Sequence, residues 1–239
     1  MSLDRPYRRT ARPIKPDGIY QPFGLARHPK YASNSVHFAK GVSLLLGDFN
    51  RLTQFIEPAD DNEVTFSLRT HELLVRVAIE IEANLKAILM ENGYKKKDNL
   101  SMADYIKIEK SHRLSGFRAL FPHWRGNHSI RRPFGPWRQS GTLSWYQNYN
   151  AVKHDRHHQF ERATFGSLVD ALSGLVCLTA AQFADLDFRT DGRIGFANRS
   201  EYRPISDGTV HVRFPDDWLD AEMYSLDEAT LWQSPDPFR

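Results

Sequence analysis

Residues 165–183, FGSLVDALSGLVCLTAAQF, carry apolar bulk at Phe165, Leu168, Val169, Leu172, Leu175, Val176 and Phe183, with Thr179 continuing the series. Steps of three and four make one apolar helical face, and the alanines and Gly174 that occupy much of the remainder let neighbours approach from several sides. Such a helix needs partners around it, so the tract predicts the centre of a helical bundle. The longest apolar run, 168–184, includes Asp170 and Gln182 and is shorter than the roughly 20 residues a bilayer span needs, so no membrane association is expected.

The partners are legible upstream. Leu74, Ala78, Ile81, Leu85 and Ile88 alternate steps of four and three, which predicts a long helix over 65–91 with Asp61 or Asn62 as its cap and Asn92-Gly93 as its stop. Arg76 with Glu80 and Glu82 with Lys86 read as exposed i,i+4 pairs, each worth about 0.3 kcal/mol. A second, shorter helix fits 101–114, with Ser101 as cap and Asp104 in its first turn. FPHWRGNHSIRRPFGPWRQSGTLS then reads as an ordered loop anchored by Trp124, Phe134 and Trp137. A third helix starts near Ser144, and a break over 160–164 precedes the core tract.

The expected fold is mainly α: a helical bundle of about four main helices over 61–185. Before it, 1–60 reads as an irregular basic arm with one short element around Val42–Leu46. After it, 186–239 reads as a small extension packed on the bundle, with TVHVRF alternating like a strand behind Asp207-Gly208. At 239 residues, 41% hydrophobic and 26% charged, the chain has the balance of an ordinary soluble protein. Its one cysteine, Cys177, rules out intrachain disulfides and multi-cysteine zinc sites, and its apolar neighbours predict a buried, inert thiol. With no apolar stretch behind the basic N-terminus to read as a secretory signal, a cytoplasmic location is expected. Residues 1–40 carry eight Lys or Arg against Asp4 and Asp17, enough to neutralise phosphates or to wrap the protein's own surface.

WYQNYNAVKHDRHH, residues 145–158, concentrates the chemistry. Read as one helix, it groups Trp145, Tyr149, Val152 and Arg156 on a packing face and Tyr146, Asn150, Lys153, His154 and His157 on an adjacent polar arc. The plainest reading makes Lys153, His154, Arg156, His157 and His158 a cationic helix end that complements the dipole, at about 0.3–1 kcal/mol each. A metal reading pairs His154 and His157 with a third ligand from His112, His123 or His128, against the repulsion of neighbouring cations, and no metal or other cofactor is expected. No serine sits in a strand-to-helix elbow of the nucleophilic type. In the remaining reading Lys153 and Arg156 hold a phosphate, Asn150 orients it or a ribose hydroxyl, Tyr146 stacks a base, and His154 moves protons. Metal-free RNA cleavage needs little beyond such a base, an acid and a cation.

The helical setting and YNAVKH together resemble the HEPN superfamily, small helical domains of bacterial toxin, defence and RNA-processing systems. The family motif is an arginine, a polar residue that is often Asn, and a few residues on, a histidine. Asn150 and His154 match the polar and histidine positions, while Tyr149 stands where the arginine belongs. The segment RVAIEIEANLKAIL and the tract PFGPW to WYQNYNAVKHDR are similar to a group of uncharacterised bacterial proteins, over residues 65–185. The resemblance implies a metal-independent endoribonuclease or a degenerate RNA-binding relative, with Asn150 and His154 catalytic, Lys153 or Arg156 taking the arginine's part, and Tyr146 and Tyr149 stacking or orienting. It also implies a homodimer and a protein partner such as an antitoxin. Two other classes fit the residues: a non-catalytic interaction or dimerisation module, and a small-molecule enzyme using the histidines in a groove beside Trp124 and Trp137.

Overall fold

Thr164 starts the core helix: its hydroxyl accepts the Ser167 amide at 3.1 Å, and the helix, here α7, runs Phe165–Phe183. The computed structural model describes residues 8–11, 31–183, 203–205 and 208–222. Every residue of α7 except Asp170 is buried. Its interior polar groups are satisfied locally or by neighbours, Ser173 donating to the Val169 carbonyl and Thr179 to that of Leu175, each at 2.7 Å. By length and composition alone α7 could cross a membrane, which corrects the expectation that this tract is too short. Yet 89% of its apolar window is buried inside the protein, as befits a core helix.

Three long helices surround it: α1 (Ser35–Leu52), α2 (Leu68–Glu91) and α5 (Ser144–His154). The one against which α7 packs most extensively is α2, whose Leu74, Ala78, Ile81, Leu85 and Ile88 are all buried, as their spacing predicts. Its cap is Ser67, which accepts the Thr70 amide at 3.1 Å, while the expected caps Asp61 and Asn62 lie in a separate 3₁₀ turn. The expected surface ion pairs are also replaced. Arg76 binds Asp48 of α1 at 2.6 Å, and Glu82 accepts the Tyr146 hydroxyl of α5 at 2.9 Å, so both tie helices together.

Helix α1 corrects the reading of 1–60 as an irregular arm. Val42, Leu45, Leu46, Phe49 and Leu52 form its buried face, and Gly41 lets it approach α2, since a Cβ there would meet the Glu80 carboxylate at 3.2 Å. The segment 101–114 forms successive short turns, α3 (Met102–Tyr105), a 3₁₀ turn and α4 (Glu109–His112), stopped by Arg113 at φ 50°. Phe49, Phe165 and Trp124 stack at centroid separations of 6.0 and 6.1 Å, joining α1, α7 and the intervening loop.

Among the described residues, four short strands form an antiparallel sheet in the order β2-β1-β4-β3: β1 (Arg118–Leu120), β2 (Ile130–Arg131), β3 (Arg203–Ile205) and β4 (Val210–Arg213). The expected strand near 209–214 is β4, and it lies beside β1 with Val212 opposite Ala119, both buried. Strands β3 and β4 are thus stitched to the loop between α4 and α5, whose own two strands have no local signal, while most of the expected extension over 186–239 lies outside the described residues.

Residues 8–11 of the basic arm wrap the bundle. Arg9 is fully buried, donating to Glu91 at 2.8 Å, to Gln182 at 2.9 Å and to the Ser33 carbonyl at 2.6 Å, with its guanidinium 4.3 Å from the Phe38 ring centroid. Gln182 in turn donates to Asn84, and His112 bonds the Arg9 carbonyl at 2.7 Å, so one network spans the arm, α2, α4 and α7. Arg9→Ala is expected to cost about 3 kcal/mol, because the buried Gln182 carbonyl oxygen loses its donor and the part-buried Glu91 carboxylate loses its cation. Urea unfolding checks this, and a loss below about 1 kcal/mol would contradict the network's role.

Candidate functional site

Helix α5 turns one face into the core. Trp145 donates its indole N–H to the Pro133 carbonyl at 3.0 Å, and Val152 is buried with it. Tyr149 is 0% exposed, and Tyr146 is buried with its hydroxyl on Glu82. Neither ring can receive a stacked base, which corrects that part of their expected role and leaves the orienting part. Burial and the Glu82 carboxylate push the Tyr146 hydroxyl's pKa well above the ordinary phenol value, with the Asn150 amide beside it acting in the opposite direction. The Lys153 ammonium leans back over the Tyr149 ring, 5.0 Å from its centroid. The Tyr149 hydroxyl, and then the Glu82 carboxylate, raise its pKa, so it remains charged at neutral pH.

The helix does not continue to His158. Asp155 leaves the helical region at φ −141°, ψ 67°, and a separate turn, α6 (Arg156–Gln159), follows. The Asp155 carboxylate caps that turn, accepting the His158 amide at 3.2 Å and facing the His158 ring nitrogen at 3.0 Å. The single-helix arcs are thereby corrected: Arg156 is not on the packing face of α5, and His157 does not share an arc with His154. Lys153, His154, Arg156, His157 and His158 are all exposed around this elbow. Only Lys153 and His154 lie in the last turn of α5, so a dipole-complementing helix end accounts for two of the five.

One contributor escaped the sequence reading. His71 of α2 packs under the elbow, its ring 5.7 Å from that of Phe160 and its Nε2 buried without a hydrogen-bond partner. Burial lowers its pKa first and the nearby Arg156 second, with the Val152 carbonyl opposing them. Stepping the series Leu74, Ala78, Ile81 back by three residues lands on His71, which was the available signal. Asn148 also braces the elbow, accepting from Arg162 at 3.0 Å and donating to Ser167 at 2.8 Å.

Of the other expected histidine ligands, His112 is buried between Arg9 and Ser111, His128 faces Glu63 at 3.1 Å, and His123 is exposed in the loop after β1. Trp124 and Trp137 are core residues, so they do not line an enzyme groove. Asp60, Glu63 and His128 bring ligand-type atoms within 4.8 Å of one another. Asp60 already accepts the Trp124 indole at 2.7 Å and the backbone amides of Asn127 and His128 at 2.7 and 3.1 Å, while Glu63 holds Arg131, whose guanidinium lies 4.5 Å from the Trp124 ring centroid. These carboxylates clasp the loop that carries β2. Gly126, at φ 123°, fits this clasp because any Cβ there would run into the Asp60 carboxylate.

Comparison of the chain with protein families, with curated proteins and with solved structures found no match.

The Trp124 indole, followed by the Asn127 amide, lowers the Asp60 carboxyl to about 2. A depressed carboxylate pKa means the clasp's contribution to stability is present above about pH 4 and is lost as the pH falls toward 2. Tryptophan fluorescence should therefore show a transition in that window that Asp60→Asn removes, and superimposable acid titrations of the two proteins would refute the clasp.

Proposed function

We propose that the chain is an RNA-binding protein of HEPN-like type, acting in the cytoplasm, whose contact with the phosphate backbone is the elbow between α5 and α6. The observation that carries this reading is the exposure of Lys153, His154, Arg156, His157 and His158 around the kink between α5 and α6. Asp155 is occupied with His158, which leaves Lys153 and Arg156 as the permanent cations for phosphates. Asn150 supplies an amide one turn below His154, and Tyr149 beneath Lys153 takes an orienting role at the position where the family has arginine. Cleavage, on this reading, falls to His154 as the proton-transfer group with Asn150 orienting the phosphate, and needs no metal.

A second reading, a protein-interaction or dimerisation module whose partner is an antitoxin or a second copy, draws on Phe66, which is half exposed and meets Phe160 edge-on at 5.8 Å beside the elbow. Ionic strength separates the two, since apolar contact responds weakly to salt.

Replacing both Lys153 and Arg156 with alanine should weaken single-stranded RNA binding about tenfold at low salt and reduce the log–log salt slope by about 1.4, the equivalent of two phosphates. Unchanged affinity and slope would sink the proposed surface. Cleavage assays in EDTA with His154→Ala decide the catalytic part: activity in the wild type alone supports it, and equal activity in both removes His154 from the reaction.

A further inference from the structure

Helices α1 and α2 face each other with the same spacing of side chains. Asp48, Arg51, Leu52 and Phe55 fall at i, i+3, i+4 and i+7 from the second half of α1 into the turn beyond it. Arg69, Glu72, Leu73 and Arg76 repeat that spacing in the first turns of α2. Between them lies a cavity of about 390 Å³, within the usual size range of small-ligand sites. Its floor is apolar, Leu52 and Leu73 being buried core residues, and its rim is charged.

The hydrogen-bonding inventory of this rim is lopsided. Among the described residues, Asp48 accepts from Arg51 at 2.7 Å and from Arg76 at 2.6 Å, one on each oxygen, and Glu72 accepts from Arg69 at 2.9 Å. Each guanidinium has five N–H donors and uses one in these pairs, so the rim offers many donors and few acceptors. An anion with several oxygens on one centre matches that excess better than a single carboxylate does. Phe55, 86% exposed, is an aromatic side chain lining the same groove as the arginines, and Glu72, which takes Arg69 on one oxygen, has a second carboxylate oxygen that can accept from a hydroxyl.

We infer that this groove is a nucleoside-phosphate site, with Arg51, Arg69 and Arg76 on the phosphate, Phe55 against the base and Glu72 on a ribose hydroxyl. The nucleoside phosphate is a free nucleotide or one residue of an RNA strand. The second source rests on the reading of the elbow as an RNA contact. The first source stands without that reading.

Two binding measurements on the full-length protein separate these cases: calorimetric titration with AMP, UMP, uridine and inorganic phosphate, and fluorescence anisotropy with a labelled single-stranded RNA. Phe55→Ala and Arg69→Ala are the variants, both at exposed positions, with melting curves to confirm an intact fold. The expected result is binding of the nucleoside monophosphates but not of uridine, weakened about tenfold by either substitution and falling steeply with salt. If free nucleotides do not bind but both substitutions weaken RNA about tenfold, the site takes a nucleotide of the strand. Nucleotide binding without any RNA binding would keep the groove and remove the RNA reading of the elbow. Inorganic phosphate binding as tightly as AMP would overturn the nucleoside part. Absence of nucleotide binding together with RNA affinity indifferent to both substitutions would overturn the inference entirely.

Discussion

The burial of α7 at every position but Asp170 is the constraint from which the rest of this structure follows. A helix with so little solvent face must be enclosed on nearly every side, and one chain achieves this with α1, α2 and α5 on some sides and the β1 and β4 strands on others. Its own residues are matched to that enclosure: a Cβ at Gly174 would come within 3.5–3.6 Å of Ile81, Trp145 and Phe134, and at the far end Gln182 enters the polar network closed by Arg9. Burying Arg9 is tolerable only because carboxylate, amide, carbonyl and aromatic partners surround its guanidinium. The wrapping arm and the core helix therefore depend on each other.

The same enclosure shapes the candidate site. With one face of α5 committed to the core through Trp145, Tyr149 and Val152, its polar residues are pushed to the rim, and Asp155 then ends the helix and redirects the chain. Charge that would have lined a single helix is spread around a corner instead. Lys153 comes to lie in α5 and Arg156 in α6, one on each side of that corner.

The core helix, the α2 stripe and the strand after Gly208 were legible in the sequence because each rests on local periodicity or turn chemistry. The break at Asp155 was not read, although an aspartate three residues before His158 is a capping signal, because the apolar spacing of Trp145, Tyr149 and Val152 invited continuation. Helix α1 is harder to read because Gly41 and Gly47 are poor helix formers within it, and the close approach at Gly41 becomes visible only with Glu80 opposite. Strand β1 owes its existence to pairing with β4, about ninety residues away in sequence, and β2 is added on the other edge of β1, which no local pattern reports. Glu82 and Arg76 looked like surface partners of their own helix, and tertiary contacts with Tyr146 and Asp48 reassigned them.

The most direct test of the proposed elbow is to follow the histidine side-chain resonances by NMR while titrating single-stranded RNA into the protein at neutral pH and low salt. The account predicts that His154 and His157 shift together and saturate at one stoichiometry, while buried His112 stays in place. Saturating RNA binding that leaves the resonances of His154, His157 and His158 unmoved would place the contact elsewhere and contradict the claim.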